Sequence, residues 1–236
     1  VRVVIPNYTC IPEKYRNQFE YVTHFYMSAG NYIQNKYVGV LKYKLDGITY
    51  YFIDNKEYFT CFSPYGDIRF DIEKFVYFDK AVLSMLPLID FRPDIIHCHD
   101  WETGLVPVYL KNEFSANSFF WGIKSIMTIH NLKFQGIWDV KTMRGLTGFS
   151  LGLFTPDKLE FNKDANMLKG GLVYADYITT VSDTYANEIQ TDSYVISLQR
   201  DGVRKVIGNV DFTLSANPDV KVKTGVLAHR CWHTNN

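Results

Sequence analysis

The sequence predicts an α/β fold built on a doubly wound parallel sheet, with a β-hairpin region near its N-terminus. Three observations carry that prediction. Short apolar runs alternate with helix-periodic stretches from residue 94 onward, and Asp46-Gly47 supplies turn chemistry between two β-rich runs. The 236 residues and 27.4 kDa are enough chain to bury a sizeable core.

Residues 1–5 (VRVVI) read as a buried strand ended by Pro6, and the stretch from Tyr37 to Ile53 reads as a hairpin turning at Asp46-Gly47. From Phe70 to Asp90 the pattern changes to three- and four-residue spacing through Ile72, Phe75, Val76, Val82, Leu83, Leu86 and Ile89, as an amphipathic helix requires, and Pro93 breaks it. A strand "DIIHCH" (94–99), a helix "GLVPVYLKNEF" (104–114) and a strand "KSIMTIH" (124–130) then set up a βαβ rhythm. "NMLKGGLVYAD" (166–176) reads as a helix and "YITTVS" (177–182) as a third strand, with Ser182 placed to cap the helix that follows. Residues 132–165 show no clear period and are expected to form a long functional loop with one short helix. The first domain is expected to span 1–191. Residues 192–236 are expected to be an atypical tail in which two or three short strands precede an unstructured "HRCWHTNN".

The 25 basic and 25 acidic residues cancel, which argues against a nucleic-acid partner or an anionic membrane surface. Aromatics reach 16%, yet large aromatics are usually core or half-buried strand residues, so this richness alone does not identify a carbohydrate ligand. Cys10, Cys61, Cys98 and Cys231 show no CxxC spacing and are expected to be reduced thiols in a cytoplasm. The longest apolar runs, such as "VLSMLPLI" (82–89), fall short of the roughly 18 residues of a membrane span, and no basic-then-apolar leader opens the sequence. The opening on "VRVVIP", without Met, predicts a fragment of a longer chain.

Ligands of open parallel sheets bind beyond the carboxyl ends of the strands. The three strands end in "HCHDW", "TIHN" and "TTVSDTY", which places His97, His99, Asp100, Trp101, His130, Asn131 and Ser182 along one edge. His97 and His99 share a face of an extended strand, a common start for a zinc or iron site, but the aspartate comes one residue too early for an HxHxDH pattern. No metal is expected, and a metallohydrolase using His97, His99 and Asp100 is the least favoured alternative. His97, inside its strand, is expected to pack and to donate one hydrogen bond. Asp100 at the exit can orient a hydroxyl, cap the following helix, or both. His130 and Asn131 together suit a polyhydroxyl ligand. "LKGGL" (168–172) lacks the Walker spacing and lies within a helical pattern, so its glycines are expected to permit close helix-to-sheet contact, not phosphate binding.

"VRVVIPNY", "PDIIHCHDWETGLVPVYLK", "TIHNLKFQGIW" and "NMLKGGLVYADYITTVSDTYANEIQ" occur in the order and near the spacing of bacterial glycogen synthases and plant starch synthases, and residues 1–191 resemble that family. The resemblance implies the N-terminal half of a GT-B glycosyltransferase, one of two Rossmann-like domains. It implies retaining transfer of glucose from ADP-glucose to the 4-hydroxyl at the non-reducing end of an α-1,4-glucan, without metal or other cofactor. On matching positions it implies catalytic roles for His130 and Asp100 and substrate contacts for Trp101, Asn131, Gln135 and His99. An α-1,4-glucan acceptor is the implied partner, and ADP-glucose is implied to bind a C-terminal domain beyond this chain.

The family's Lys-x-Gly-Gly-Leu loop is expected upstream of Val1. Glu102 stands where the family usually has His or Gln, and Asp183 where it usually has Pro; Asp183 still suits a helix N-terminus. Beyond Gln190 the match fails, with Gly208 and Asn209 in reversed order relative to the family's Asn-Gly turn. The 236-residue chain is therefore expected to be inactive alone, or to act as a glucan-binding module without catalysis.

Overall fold

Asp46 and Gly47 both adopt left-handed backbone, at φ 48° and 78°, and fold β3 (Lys36–Leu45) onto β4 (Ile48–Asp54) with Leu45 opposite Ile48. Two consecutive positive φ values define the two-residue hairpin turn whose twist matches that of its strands, which is why Asp-Gly was legible there. The computed structural model describes residues 1–60 and 63–189, and the backbone of 195–198, 203–207, 209–214 and 221–222. Two compact units result: Val1–Arg92 with Gly145–Gly148, and Pro93–Arg144 with Phe149–Asn236.

In the first unit β1 (Arg2–Pro6) pairs parallel with β4, and β2 (Glu20–Met27) pairs antiparallel with β3, giving the sheet order β1-β4-β3-β2. β1 is thus an edge strand. Its expected burial is corrected accordingly: Ile5 remains 36% exposed. β2 was not foreseen, although its run of Tyr21, Val22, Thr23, Phe25 and Tyr26 carries the β-branched and aromatic bias of strands. The short helix α1 (Glu13–Arg16) lies between β1 and β2, and α2 (Lys56–Phe59) follows β4.

The amphipathic stretch forms α3 (Ile68–Met85), capped by Asp67, whose Oδ1 accepts from the amides of Arg69 and Phe70. The helix ends before Pro93, at a 3-10 turn Leu86–Ile89 that contains Pro87, whose ring and missing N–H cannot continue an α-helix. α3 buries Tyr77 and Phe78 among Tyr58 and Phe59, with the Tyr58 and Tyr77 rings stacked at 4.5 Å. A buried pair, Lys74 Nζ to Asp71 Oδ1 at 2.6 Å, ties the preceding loop to the helix: Lys74 also donates to Pro64 O, and Asp71 Oδ2 accepts from Gly66 N.

The second unit holds the βαβ pattern. β5 (Ile95–His99), β6 (Lys124–Ile129) and β10 (Tyr177–Thr180) pair parallel in that spatial order, with His99 opposite Thr128 and Thr128 opposite Thr179. α4 (Leu105–Asn112) and α6 (Met167–Tyr174) cover one face, over Cys98, Met127 and Ile178, all buried. The expected close approach at "LKGGL" is present. A Cβ on Gly171 would meet Met127 Cε and the Gly104 backbone, and one on Gly104 would run into the carbonyl of Met167. Lys169 of the same motif is buried, donating to Pro156 O at 2.6 Å and Glu160 O at 2.5 Å, and burial lowers its pKa to about 8.

The stretch 132–165 is more ordered than expected. β7 (Ile137–Asp139), β8 (Glu160–Phe161) and β9 (Asp164–Asn166) form a small antiparallel sheet, and α5 (Val140–Thr147) is the anticipated short helix. Strands of two or three residues are too short to show a period in sequence. α7 (Asp183–Glu188) begins as foreseen, with Ser182 Oγ accepting from Tyr185 N at 3.1 Å and Asp183 in its first turn. In the tail, β11 (Val195–Leu198), β12 (Val203–Ile207) and β13 (Asn209–Leu214) form a three-stranded sheet, and β14 (Lys221–Val222) pairs with β10. The boundary expected between 191 and 192, and the segment "HRCWHTNN", lie outside the described residues. Cys10 and Cys98 are in no disulfide; Cys61 and Cys231 are not among the described residues. No described helix is long and apolar enough to cross a membrane.

Gly104→Ala is expected to destabilise the chain by about 3 kcal/mol, because backbone must move, and Gly171→Ala by less, because the Met127 terminus can swing aside. Thermal unfolding of the two variants checks the order.

Candidate functional site

The carboxyl ends of β5, β6 and β10 bring Asp100, His130 and Ser182 to one edge of the sheet, as the strand-exit argument expects. The face opposite α4 and α6 carries His97, His99, Thr128 and Thr179 beside Ile95 and Ile126. Thr128 Oγ1 sits between His97 Nε2 at 2.6 Å and Thr179 Oγ1 at 2.7 Å, so a hydrogen-bonded seam crosses all three strands. Beyond it His99 Nδ1 lies 2.9 Å from His130 Nε2. The His97 and His99 rings pack at 4.2 Å between centroids.

His97 makes its expected hydrogen bond, but it is not enclosed: by area the ring is exposed, while the strands and neighbouring rings strip water from one side. That desolvation, reinforced by His99 and His130, lowers its pKa to about 4. His99 is likewise lowered, first by burial and then by His130, with Asp100 opposing. Both imidazoles are therefore neutral near pH 7.

Asp100 does not cap the turn that follows it, Trp101–Thr103, which corrects the capping alternative. Its Oδ1 instead accepts from the backbone amides of His130 at 2.7 Å and Asn131 at 3.2 Å, while its own N–H donates to Thr128 O at 3.0 Å. These bonds hold Asp100 at φ 55°, ψ −167°, a region left almost entirely to glycine, which costs on the order of 1–3 kcal/mol. Thr103 Oγ1 braces the same corner, accepting from His99 N at 2.6 Å and donating to His99 O at 2.8 Å.

Trp101 is buried at this corner. It is 5% exposed, and Gly136, at φ 63°, lies so close that a Cβ there would enter the indole ring. The indole ring is used for packing against this glycine. Gln135 is half-buried and shapes the loop: its Nε2 donates to Leu132 O at 2.9 Å and its Oε1 accepts from Asn166 Nδ2 at 2.7 Å. Asn131 is exposed, its Oδ1 accepting from Lys133 N at 3.1 Å. His130 is exposed, with Nδ1 left over once Nε2 meets His99.

Three residues that matter here were not singled out in advance. Thr128 could have been found by extending the strand alternation back from His130, and Thr179 only through its register opposite Thr128. Tyr185, whose hydroxyl accepts from Leu132 N at 2.8 Å and pins the segment after β6, leaves no local signal. Among the described residues no group of three or more His, Cys, Asp or Glu could hold a metal ion. His99 Nδ1 is already engaged by His130, so the donor geometry lends the metallohydrolase alternative no support.

The family model of the starch synthase catalytic domain matches residues 1–203. The glycogen synthase of Lachnoclostridium phytofermentans is 59% identical over 194 residues, covering 82% of this chain and 40% of that protein. The glycogen synthase of Lachnospira eligens is 57% identical over 210 residues, covering 89% and 43%. Among solved structures, the catalytic domain of starch synthase IV from Arabidopsis thaliana bound to ADP and acarbose superposes with a TM-score of 0.68 at 25% identity, over 81% of this chain and 39% of that one. The chain thus spans well under half the length of these relatives.

Asp100→Ala would leave the His130 and Asn131 amides without their acceptor and is expected to lower stability by about 1–3 kcal/mol, whereas Asp100→Asn keeps an oxygen in place and retains most of it. Equal melting temperatures for the two variants would contradict this role. The His97 titration gives a second expectation. An unfolded histidine takes its proton near 6.5 and folded His97 near 4, so the unfolded state binds more protons between these values. Stability is therefore expected to fall as pH is lowered through that window, and His97→Gln to flatten the decline, as denaturant titrations at stepped pH will read.

Proposed function

This chain belongs to the family of glycogen and starch synthases and has the α/β fold of the N-terminal half of a GT-B glycosyltransferase; from that premise we propose that it forms the acceptor side of an α-1,4-glucan synthase of glycogen biosynthesis. The reaction is transfer of glucose, with retention, from ADP-glucose to the 4-hydroxyl at the non-reducing end of a glucan. No metal or other cofactor takes part, and the enzyme works in the cytoplasm. The observation that carries this reading is the Asp100 bridge. It fixes His130 and Asn131, two residues of the "TIHN" motif, side by side at the strand exits where sheet proteins of this class bind ligands.

His130 is the residue for the transferred sugar and Asn131 for a glucan hydroxyl, with Asp100 positioning both through the backbone. Positive charge develops on the sugar ring, and negative charge on the departing phosphate, as the glycosidic bond to ADP breaks. Fixed, preoriented polar groups beside the ring stabilise that state without reorganising. Gln135, through Asn166 and Leu132, keeps the loop after β6 in shape. ADP-glucose itself is held by a facing domain outside these 236 residues, so the chain alone binds glucan without transferring glucose.

Titration with maltoheptaose is expected to show saturable binding in the millimolar range, weakened about 10-fold or more by His130→Ala. Absence of binding would sink the acceptor-side assignment. Incubation with ADP-glucose and glycogen is expected to give no glucan extension by residues 1–236, and turnover by this chain alone would overturn the division of labour.

A further inference from the structure

The His99 to His130 contact holds two imidazoles with one hydrogen between them. Near pH 7 the desolvated His99 is neutral, so either His130 Nε2–H donates to His99 Nδ1, or His99 Nδ1–H donates to His130 Nε2. The two arrangements are not equivalent. For a pair of neutral rings, the first places each hydrogen on Nε2, the intrinsically preferred tautomer of an imidazole. In the second, each carries it on Nδ1, so both rings adopt the less stable form at once.

The surroundings also fix the partners before they meet. The backbone of His99 is held at both its N–H and its C=O by Thr103 Oγ1, and its ring lies against that of His97. The backbone of His130 is held by the Asp100 carboxylate. A side chain at the end of β5 and one on the residue that follows β6 are thus delivered to hydrogen-bonding distance by adjacent strands, which sets this pair apart from a chance surface contact.

We propose that His99 is a positioning residue for His130: its Nδ1 accepts from His130 Nε2–H, fixing the tautomer and ring plane so that His130 presents an unprotonated Nδ1 to a donating hydroxyl of the glucosyl unit. The assignment of a sugar hydroxyl as ligand rests on the function proposed above, whereas the tautomer does not. It replaces direct substrate contact as the role of His99. It also makes His130 an acceptor, which selects for a hydroxyl donor and against a carbonyl or other pure acceptor at that point.

Long-range proton–nitrogen correlation spectra of the 15N-histidine-labelled chain near pH 7.5 test this directly. Wild type is expected to show His130 with a protonated Nε2 and an unprotonated Nδ1, without averaging. His99→Phe keeps a ring but removes the acceptor, and is expected to bring the two His130 nitrogens toward averaged shifts. His99→Asn places an amide oxygen near the former Nδ1, and is expected to restore the wild-type pattern. A wild-type His130 protonated on Nδ1, an already averaged wild-type His130, or a His99→Phe spectrum like that of wild type would each overturn the proposal. Maltoheptaose titrations form the second arm, with His99→Phe expected to weaken binding about 2- to 10-fold, the range of one hydrogen bond, and His99→Asn to recover it. If wild type shows the predicted tautomer but binds no glucan, the functional reading fails and the positioning role stands; if glucan binds equally well to all three, the positioning role fails.

Discussion

The carboxylate of Asp100 is the contact on which the rest of the site depends. Where β5 and β6 end, the parallel ladder ends with them, and the amides of His130 and Asn131 lose their strand partners. One oxygen of Asp100 takes both. Reaching them requires backbone geometry that residues with a Cβ avoid, and the strain persists because the surroundings over-determine it: the Asp100 amide is tied to Thr128 and the preceding residue is clamped by Thr103. Stored strain and a doubly used carboxylate oxygen together make this corner rigid, the property needed if His130 and Asn131 are to face a sugar without reorganising.

That rigid edge stands on a dry base. The parallel sheet has two unlike faces, one buried through Cys98, Met127 and Ile178 beneath α4 and α6, the other carrying the His97–Thr128–Thr179 seam. Close packing on the first face depends on missing side chains: Gly104 and Gly171 let α6 approach the start of α4, and Gly136 lets the chain pass over Trp101. Packing on one side of the sheet thereby sets the level at which the polar edge emerges on the other.

How much of this could be read in advance differed by element. The hairpin at Asp46-Gly47, the cap at Ser182 and the helix spacing through Ile72, Phe75 and Val76 depend on neighbours within a few residues, and all were legible. The end of α3 was misattributed to Pro93 because a second proline, Pro87, intervenes within an apolar run that still looks periodic. β7, β8 and β9 escaped because two or three residues cannot display alternation, and only their mutual pairing makes them strands. The motif "HCHDW" was placed correctly at a strand exit, yet its members were ranked by chemical type, and type does not reveal that Asp100 faces backbone or that Trp101 faces the core.

The sequence by itself determined the class of fold, the edge of the sheet on which the polar residues gather and, through several motifs in order, the family. These follow from patterns local to the chain: alternation, capping, turn residues and spacing. Only the tertiary structure decided what each site residue touches. Asp100 and His130 lie 30 positions apart, and Thr128 and Thr179 lie 51 apart. Such pairs meet through strand register, and a shift of one residue would turn every one of these side chains to the opposite face. Register is set by the packing of the whole sheet against α4 and α6, and no short stretch of sequence contains it.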